Sequence, residues 1–160
     1  MTKTYLLTVL LSLIPISELR GAIPYAYLNY IPLLLSFVIG VLANALVPLI
    51  GFLFLATLHR LLDKWKPYHS FFEKTIARAR EKVGEKVGKY GLLGLILFVA
   101  IPLPVTGAWT GTLGAWVLGL DRKKSCLSIF LGVVIAGIIV TTVVYTGSGI
   151  ASLFTKKINI

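Results

Sequence analysis

The sequence predicts an all-α integral membrane protein of two inverted repeats, each a re-entrant helical hairpin followed by a transmembrane helix, joined by a basic amphipathic helix. Three observations predict it. Apolar residues arrive in four long blocks, the first and third blocks are broken near their middles, and short matches recur in the same order in the two halves. Of the 160 residues 57% are hydrophobic and only 14% charged, whereas soluble domains carry about a quarter charged residues. This is more apolar surface than a water-soluble globule of this length can bury, and its arrangement in blocks is the pattern a bilayer selects.

The first block, residues 5–31, reads YLLTVLLSLIPI, then SELRG, then AIPYAYLNYI. Each apolar half is about 10 to 13 residues, which at about 1.5 Å per residue covers around half of the bilayer core. Two such halves form a hairpin that enters and leaves on one side. The start has the charge-then-apolar order of a signal peptide, but no small-x-small cleavage site follows, so the segment is read as part of the mature protein. The second block, residues 33–58, has no charge and is long enough to span, with Pro48 the place for a kink.

Residues 59–90 form the connector. Phe72, Ile76, Ala79, Val83, Val87 and Tyr90 recur every three or four residues with Lys74, Arg78, Lys82, Lys86 and Lys89 between them, the pattern of an amphipathic helix at the cytoplasmic interface. The third block, residues 91–120, breaks at PLPVTG between GLLGLILFVAI and AWTGTLGAWVLGL. The fourth, residues 125–154, is uncharged and spans. The expected organisation is one membrane domain: 1–58 as first repeat, 59–90 as cytoplasmic connector and 91–160 as second repeat. Three sets of matches support duplication: Ile14-Pro15 with Ile101-Pro102, Gly21-Ala22 with Gly107-Ala108, and SFVIGV at 36–41 with SIFLGV at 128–133.

The net charge of +10 does not imply nucleic acid. Nine of the sixteen Lys and Arg residues lie between Arg60 and Lys89, flanked by apolar blocks, where cytoplasmic loops concentrate charge. The expected partner is the anionic head groups of the bilayer, each basic residue contributing roughly 1 kcal/mol. Hairpin and four-span readings both leave twelve of the positive residues inside, so charge does not choose between them. The breaks and the repeat do.

Glu18 and Arg20 are the charged residues well inside an apolar block. At the centre of a spanning helix each costs about 2.5 to 3.5 kcal/mol, so they face protein or water. Glu18 is suited to carrying a proton and Arg20 to gripping an anion; equally, the two suit an ion pair that holds the break in shape. Non-helical backbone at membrane depth needs protein or a water-filled cavity to satisfy it, so the two breaks are expected to share a polar interior. In the second break Pro102 and Pro104 interrupt the helix, and Thr106 is placed to cap the half-helix that follows. The free amides there can meet an anion. Gly107, Gly111 and Gly114 permit close helix approach, Trp109 and Trp116 suit packing or an interfacial anchor, and Asn44 faces the same cavity or bonds across helices. No cofactor or metal site is read. His59 and His69 lie in the charged loop, Cys126 is the single cysteine, and neither a nucleophile elbow nor a phosphate loop occurs, which argues against an enzyme.

The segments SELRGAIPYA and IPLPVTGAWTGTLGAWVLGLDRKKS, with the basic connector, resemble the small multidrug export protein family over nearly the whole chain, and that family is distantly similar to the DedA or VTT-domain membrane proteins. The resemblance implies a fold with two facing re-entrant segments and a role in proton-dependent drug tolerance or in flipping phospholipid or polyprenyl-phosphate carriers, with Glu18 and Arg20 as counterparts of the acidic and arginine residues. The second segment has no arginine, which weighs against a doubly charged phosphate. The expected function is transport of a small or amphipathic solute, proton-coupled through Glu18, by a multi-pass protein of the cell membrane. Lipid translocation and a non-transporting scaffold are the alternatives, and the glycines permit a homodimer.

Overall fold

The computed structural model describes residues 2–57, 59, 62, 66–102 and 106–156, with side chains given except at 66–71, 82, 86 and 148–156. Among these residues the chain forms eight helices: α1 (Thr2–Leu13), α2 (Glu18–Leu28), α3 (Leu33–Ala45), α4 (Val47–Ala56), α5 (Lys66–Tyr90), α6 (Leu92–Ala100), α7 (Ala108–Val117) and α8 (Arg122–Lys156).

Length separates these helices into two kinds. α1, α2, α6 and α7 have 12, 11, 9 and 10 residues, about 14 to 18 Å of helix against a hydrocarbon core of about 30 Å. Leu33–Ala56 and Arg122–Gly147, of 24 and 26 residues, are long and apolar enough to cross. Only 39% and 33% of their most apolar windows are buried. The rest, including Leu34, Leu42, Leu53, Leu127, Ile138 and Val143, is exposed, an extent of bare apolar surface that water does not tolerate and a bilayer requires.

The first span is interrupted where Pro48 was expected to act. α3 ends at Ala45, the Leu46 amide turns back to the Ala43 carbonyl at 3.2 Å, and α4 restarts with Pro48 in its first turn. Proline has no N–H for the carbonyl four residues back, and that residue is Asn44.

The two short helices that follow the breaks end alike. At the end of α2 the Ile31 amide donates to Ala26 O and the Tyr30 amide to Tyr27 O, with Tyr30 at φ +64. At the end of α7 the Leu120 amide donates to Ala115 O and the Gly119 amide to Trp116 O, with Gly119 at φ +66. Both are Schellman motifs, in which a left-handed residue lets two amides satisfy the last carbonyls. After each, a spanning helix starts at once. α3 starts at Leu33 behind Pro32, and α8 at Arg122, where the Asp121 carboxylate accepts the Lys124 amide at 2.9 Å as an N-cap.

These landmarks share one spacing. Glu18 and Gly107, both at positive φ, are 89 residues apart, and so are Leu28 and Val117, Tyr30 and Gly119, Leu33 and Arg122, and the fully buried Ser36 and Ser125. The matches read from sequence fall at shifts of 86, 87 and 92. The backbone landmarks thus set Gly107 at 89 residues from Glu18, where the sequence match set it at 86 from Gly21.

Packing follows the same order. α1 and α2 pack on each other and on α3, while α6 and α7 pack on α8. In exchange α2 reaches α8 and α7 reaches α4, and α3 lies against α8. One core results, with Leu19 and Ile23 of α2, Val41 of α3, Leu95, Phe98 and Val99 of α6 and Ile129 and Val133 of α8 buried together.

The apolar face of α5 docks on α6 and α7: Phe72, Ala79 and Val83 are buried, and a Cβ on Gly114 would stand 2.5 Å from Val83. Glycine here allows the closest helix approach in that interface. His59 stacks on Phe72 with ring centres 4.1 Å apart and meets Trp116 edge-on at 5.5 Å, so Trp116 is a packing residue that ties the connector to α7. Lys74, Arg78, Arg80 and Lys89 point outward and are exposed.

Candidate functional site

The two breaks meet. The turn after α1 runs through Ser17 in a right-handed conformation to Glu18 at φ +49. A left-handed backbone costs a non-glycine residue about 1–2 kcal/mol, and such strain persists only where surrounding contacts hold it. Those contacts are at the start of α7. One carboxylate oxygen of Glu18 accepts the Ala108 amide at 3.3 Å and the other accepts the Trp109 amide at 3.2 Å. The carboxylate is 5% exposed and caps a helix belonging to the other half of the molecule.

Gly107 makes the approach possible. Its φ is +142, and a Cβ there would stand 2.2 Å from a Glu18 oxygen. Any side chain would therefore expel the carboxylate, and the backbone conformation itself excludes most residues. The helix N-terminus adds its dipole to the two amides.

Arg20, two residues further on α2, crosses to the residue before Gly107. Its guanidinium donates to the Thr106 carbonyl and, at 3.2 Å, to the Thr106 hydroxyl, while its distance to the Glu18 carboxylate is 4.0 Å. The ion pair within SELRG is therefore loose. Both charges reach across to the opposite break.

Asn44 is fully buried at the interruption between α3 and α4, with its amide beside the Glu18 carboxyl. Neither its Nδ2 nor its Oδ1 reaches hydrogen-bond geometry with a partner. The polar group it is placed to serve is the Glu18 carboxyl.

Trp109 was read as packing or an anchor, and its position at the site was missed. Its backbone amide holds Glu18, its indole N–H donates to Leu13 O at 2.8 Å, closing the end of α1, and its ring lines a cavity. That cavity, of about 220 Å³, lies between α4, α5 and α7 and is bordered by Gly51, Leu55, Phe72, Trp109, Thr112 and Leu113, among others. Residue type gives no signal for this, because any residue in the first turn of a helix has its backbone amide free to donate.

Of the residues expected at the site, Glu18, Arg20, Asn44, Thr106 and Gly107 come together. Pro102 follows the end of α6 at Ile101 and is partly buried; Pro104 lies outside the described residues. Thr106 does not cap α7 as expected. Its hydroxyl donates backwards to Ile101 O at 2.7 Å, pinning the loop, and Gly107 is the N-cap position. The cap comes from Glu18, whose two carboxylate oxygens each accept one amide of the first turn.

Residues 18–139 match the family described as "putative small multi-drug export protein". That range begins at Glu18 and takes in nearly all of the first break, the first span, the connector, the second break and the second span as far as residue 139. No curated protein and no solved structure matches the chain.

Proposed function

Because the chain belongs to the small multi-drug export protein family, we propose that it is a multi-pass transporter of the cell membrane that moves a small or amphipathic solute through the place where the two breaks meet, with Glu18 as proton carrier. The observation that carries this reading is the buried carboxylate of Glu18 holding the free end of α7. A proton delivered to Glu18 removes the charge that binds the two amides and loosens the contact between the halves. Protonation and opening are thereby linked in one residue.

The short helices support re-entrant hairpins, since none reaches across the hydrocarbon core, and the shared spacing with exchanged packing supports two inverted repeats around a central site. The exposed basic face of α5 is suited to anionic head groups on the inner leaflet.

Reconstituted vesicles test this. Release of a fluorescent amphipathic solute is expected to depend on an imposed pH gradient, and Glu18→Gln is expected to lower it at least about tenfold, a barrier change of about 1.4 kcal/mol. Flux unchanged in Glu18→Gln would refute the proton-carrier role. Movement of fluorescent head-group lipids without any gradient, and no solute release, would replace solute export with lipid translocation.

A further inference from the structure

The structure assigns the cleft between α4 and α8 as a binding site for one anionic phospholipid, its phosphate held by Arg122 and Lys123 and its chains lying against Leu49 and Phe52. The site lies away from the meeting of the two breaks and goes beyond the export reading: it holds or fails whether or not the chain moves a solute.

The cleft has a volume of about 430 Å³ and is lined by Leu49 and Phe52 of α4 and by Arg122, Lys123 and Cys126 of α8, a size within the roughly 300–1,000 Å³ of ligand sites. α4 lies in the first half of the chain and α8 in the second, so an occupant touches both. Position along the two helices orders the walls. α8 starts at Arg122, and Cys126 follows four residues on, about 6 Å deeper. α4 ends at Ala56, and Phe52 and Leu49 stand four and seven residues before that end, about 6 and 10 Å deeper. Cations therefore form the rim and apolar side chains the wall below it. Leu49 itself, Leu53 one turn along α4 and Leu127 beside Cys126 are all exposed, so the cleft opens on the hydrocarbon.

Charge decides the head group. Arg122, Lys123 and Lys124 occupy the first turn of α8, the positive end of the helix dipole, where basic side chains weaken a helix and anions strengthen it. Membrane topology asks for positive charge on one side of the bilayer, but not for two cations on the rim of a cleft. The neighbouring carboxylate, Asp121, accepts the Lys124 amide at 2.9 Å, and three cations against that one carboxylate leave a positive surplus. Among the described residues neither Arg122 nor Lys123 has a salt-bridge partner. Arg122 can grip two phosphate oxygens at once, and Lys123 adds a point charge.

The order of rim and wall decides the rest of the molecule. A phospholipid has the same order, phosphate at the interface and chains beneath it, whereas a soluble phosphate uses the rim alone. A phosphodiester with an uncharged head group, such as phosphatidylglycerol, brings one negative charge and no cation. The choline of a zwitterionic lipid brings a quaternary ammonium up to Lys123 and Lys124, and like charges repel.

The single cysteine borders the cleft and serves as reporter. The full chain is placed in nanodiscs of phosphatidylcholine with rising fractions of phosphatidylglycerol, and modification of Cys126 by uncharged N-ethylmaleimide is timed by mass spectrometry. Each basic residue at an anionic surface contributes about 1 kcal/mol, or about fivefold, so two give a preference of about 25-fold. The wild-type rate is therefore expected to fall at least about tenfold, to a plateau. Arg122→Gln with Lys123→Gln is expected to abolish this protection over the same lipid range, while Lys74→Gln with Arg78→Gln, exposed on α5, keeps it. A cysteine at Thr57 in a Cys126→Ala background, exposed just beyond α4, reports surface charge alone and is expected to slow by at most about threefold, the loss of thiolate that the potential of an anionic leaflet brings. The wild-type titration stands as a test by itself. Protection of Cys126 no greater than that of the Thr57 cysteine, protection that survives loss of Arg122 and Lys123, or equal loss in the α5 variant overturns the assignment. Glycerol phosphate in solution protecting Cys126 as fully as the lipid does would overturn it as well, leaving a soluble-anion site.

Discussion

At the scale of single residues, the site depends on one close approach that only glycine permits. Gly107→Ala places a methyl 2.2 Å from a Glu18 oxygen at a backbone φ of +142, and is expected to cost about 1–3 kcal/mol through strain and displaced contacts. Thermal unfolding in detergent measures this. Removing the obstructing atoms should recover part of the loss, so Glu18→Ala combined with Gly107→Ala is expected to be less destabilised than the sum of the two, with a coupling of about 0.5–3 kcal/mol. Strict additivity would mean that the two residues do not meet. Glu18 and Arg20 were legible in the sequence because a charge in an apolar block is expensive and therefore placed. Trp109 was not, because its contribution is a backbone amide, and every residue but proline has one.

At the scale of elements, the connector helix is held by shape. The side chain of Val83 fills the space left by Gly114, with three of its carbons within 2.9 Å of where a Cβ would be. Gly114→Ala is expected to destabilise by about 1–3 kcal/mol, and Val83→Ala in the same chain to relieve most of it; a double variant no better than the single would show that α5 does not dock there. The periodicity of Phe72, Ala79 and Val83 announced an amphipathic helix, but periodicity is identical whether the apolar stripe meets lipid or protein. Burial under α7 was a tertiary decision. The kink near Pro48 was legible, since a missing N–H is a local fact. The cap of α7 was assigned to Thr106 from local pattern, and the fold gave it to a residue 90 positions away.

At the scale of the whole molecule, the arrangement makes a topological prediction. If α1 and α2 enter and leave on one face, single cysteines at Tyr5 and Tyr30 in a Cys126→Ala background are labelled from the same side of the membrane, and one at Thr57, beyond the 24-residue span Leu33–Ala56, from the other. Tyr30 and Thr57 are exposed and suited to labelling. Labelling of positions 5 and 30 from opposite sides would remove the first hairpin, and with it the inverted repeat.

The sequence by itself determined that the chain is helical and belongs to a bilayer, where its helices break, and which two charges stand inside, because composition, length and the cost of a buried charge are properties of the chain alone. Only the tertiary structure decided that Glu18 holds the amides of α7, that Gly107 makes room for its carboxylate, and that Asn44 is buried beside them. Backbone dihedrals and free amides leave no mark on residue identity, and the meeting of two breaks exists only once the helices between them have packed.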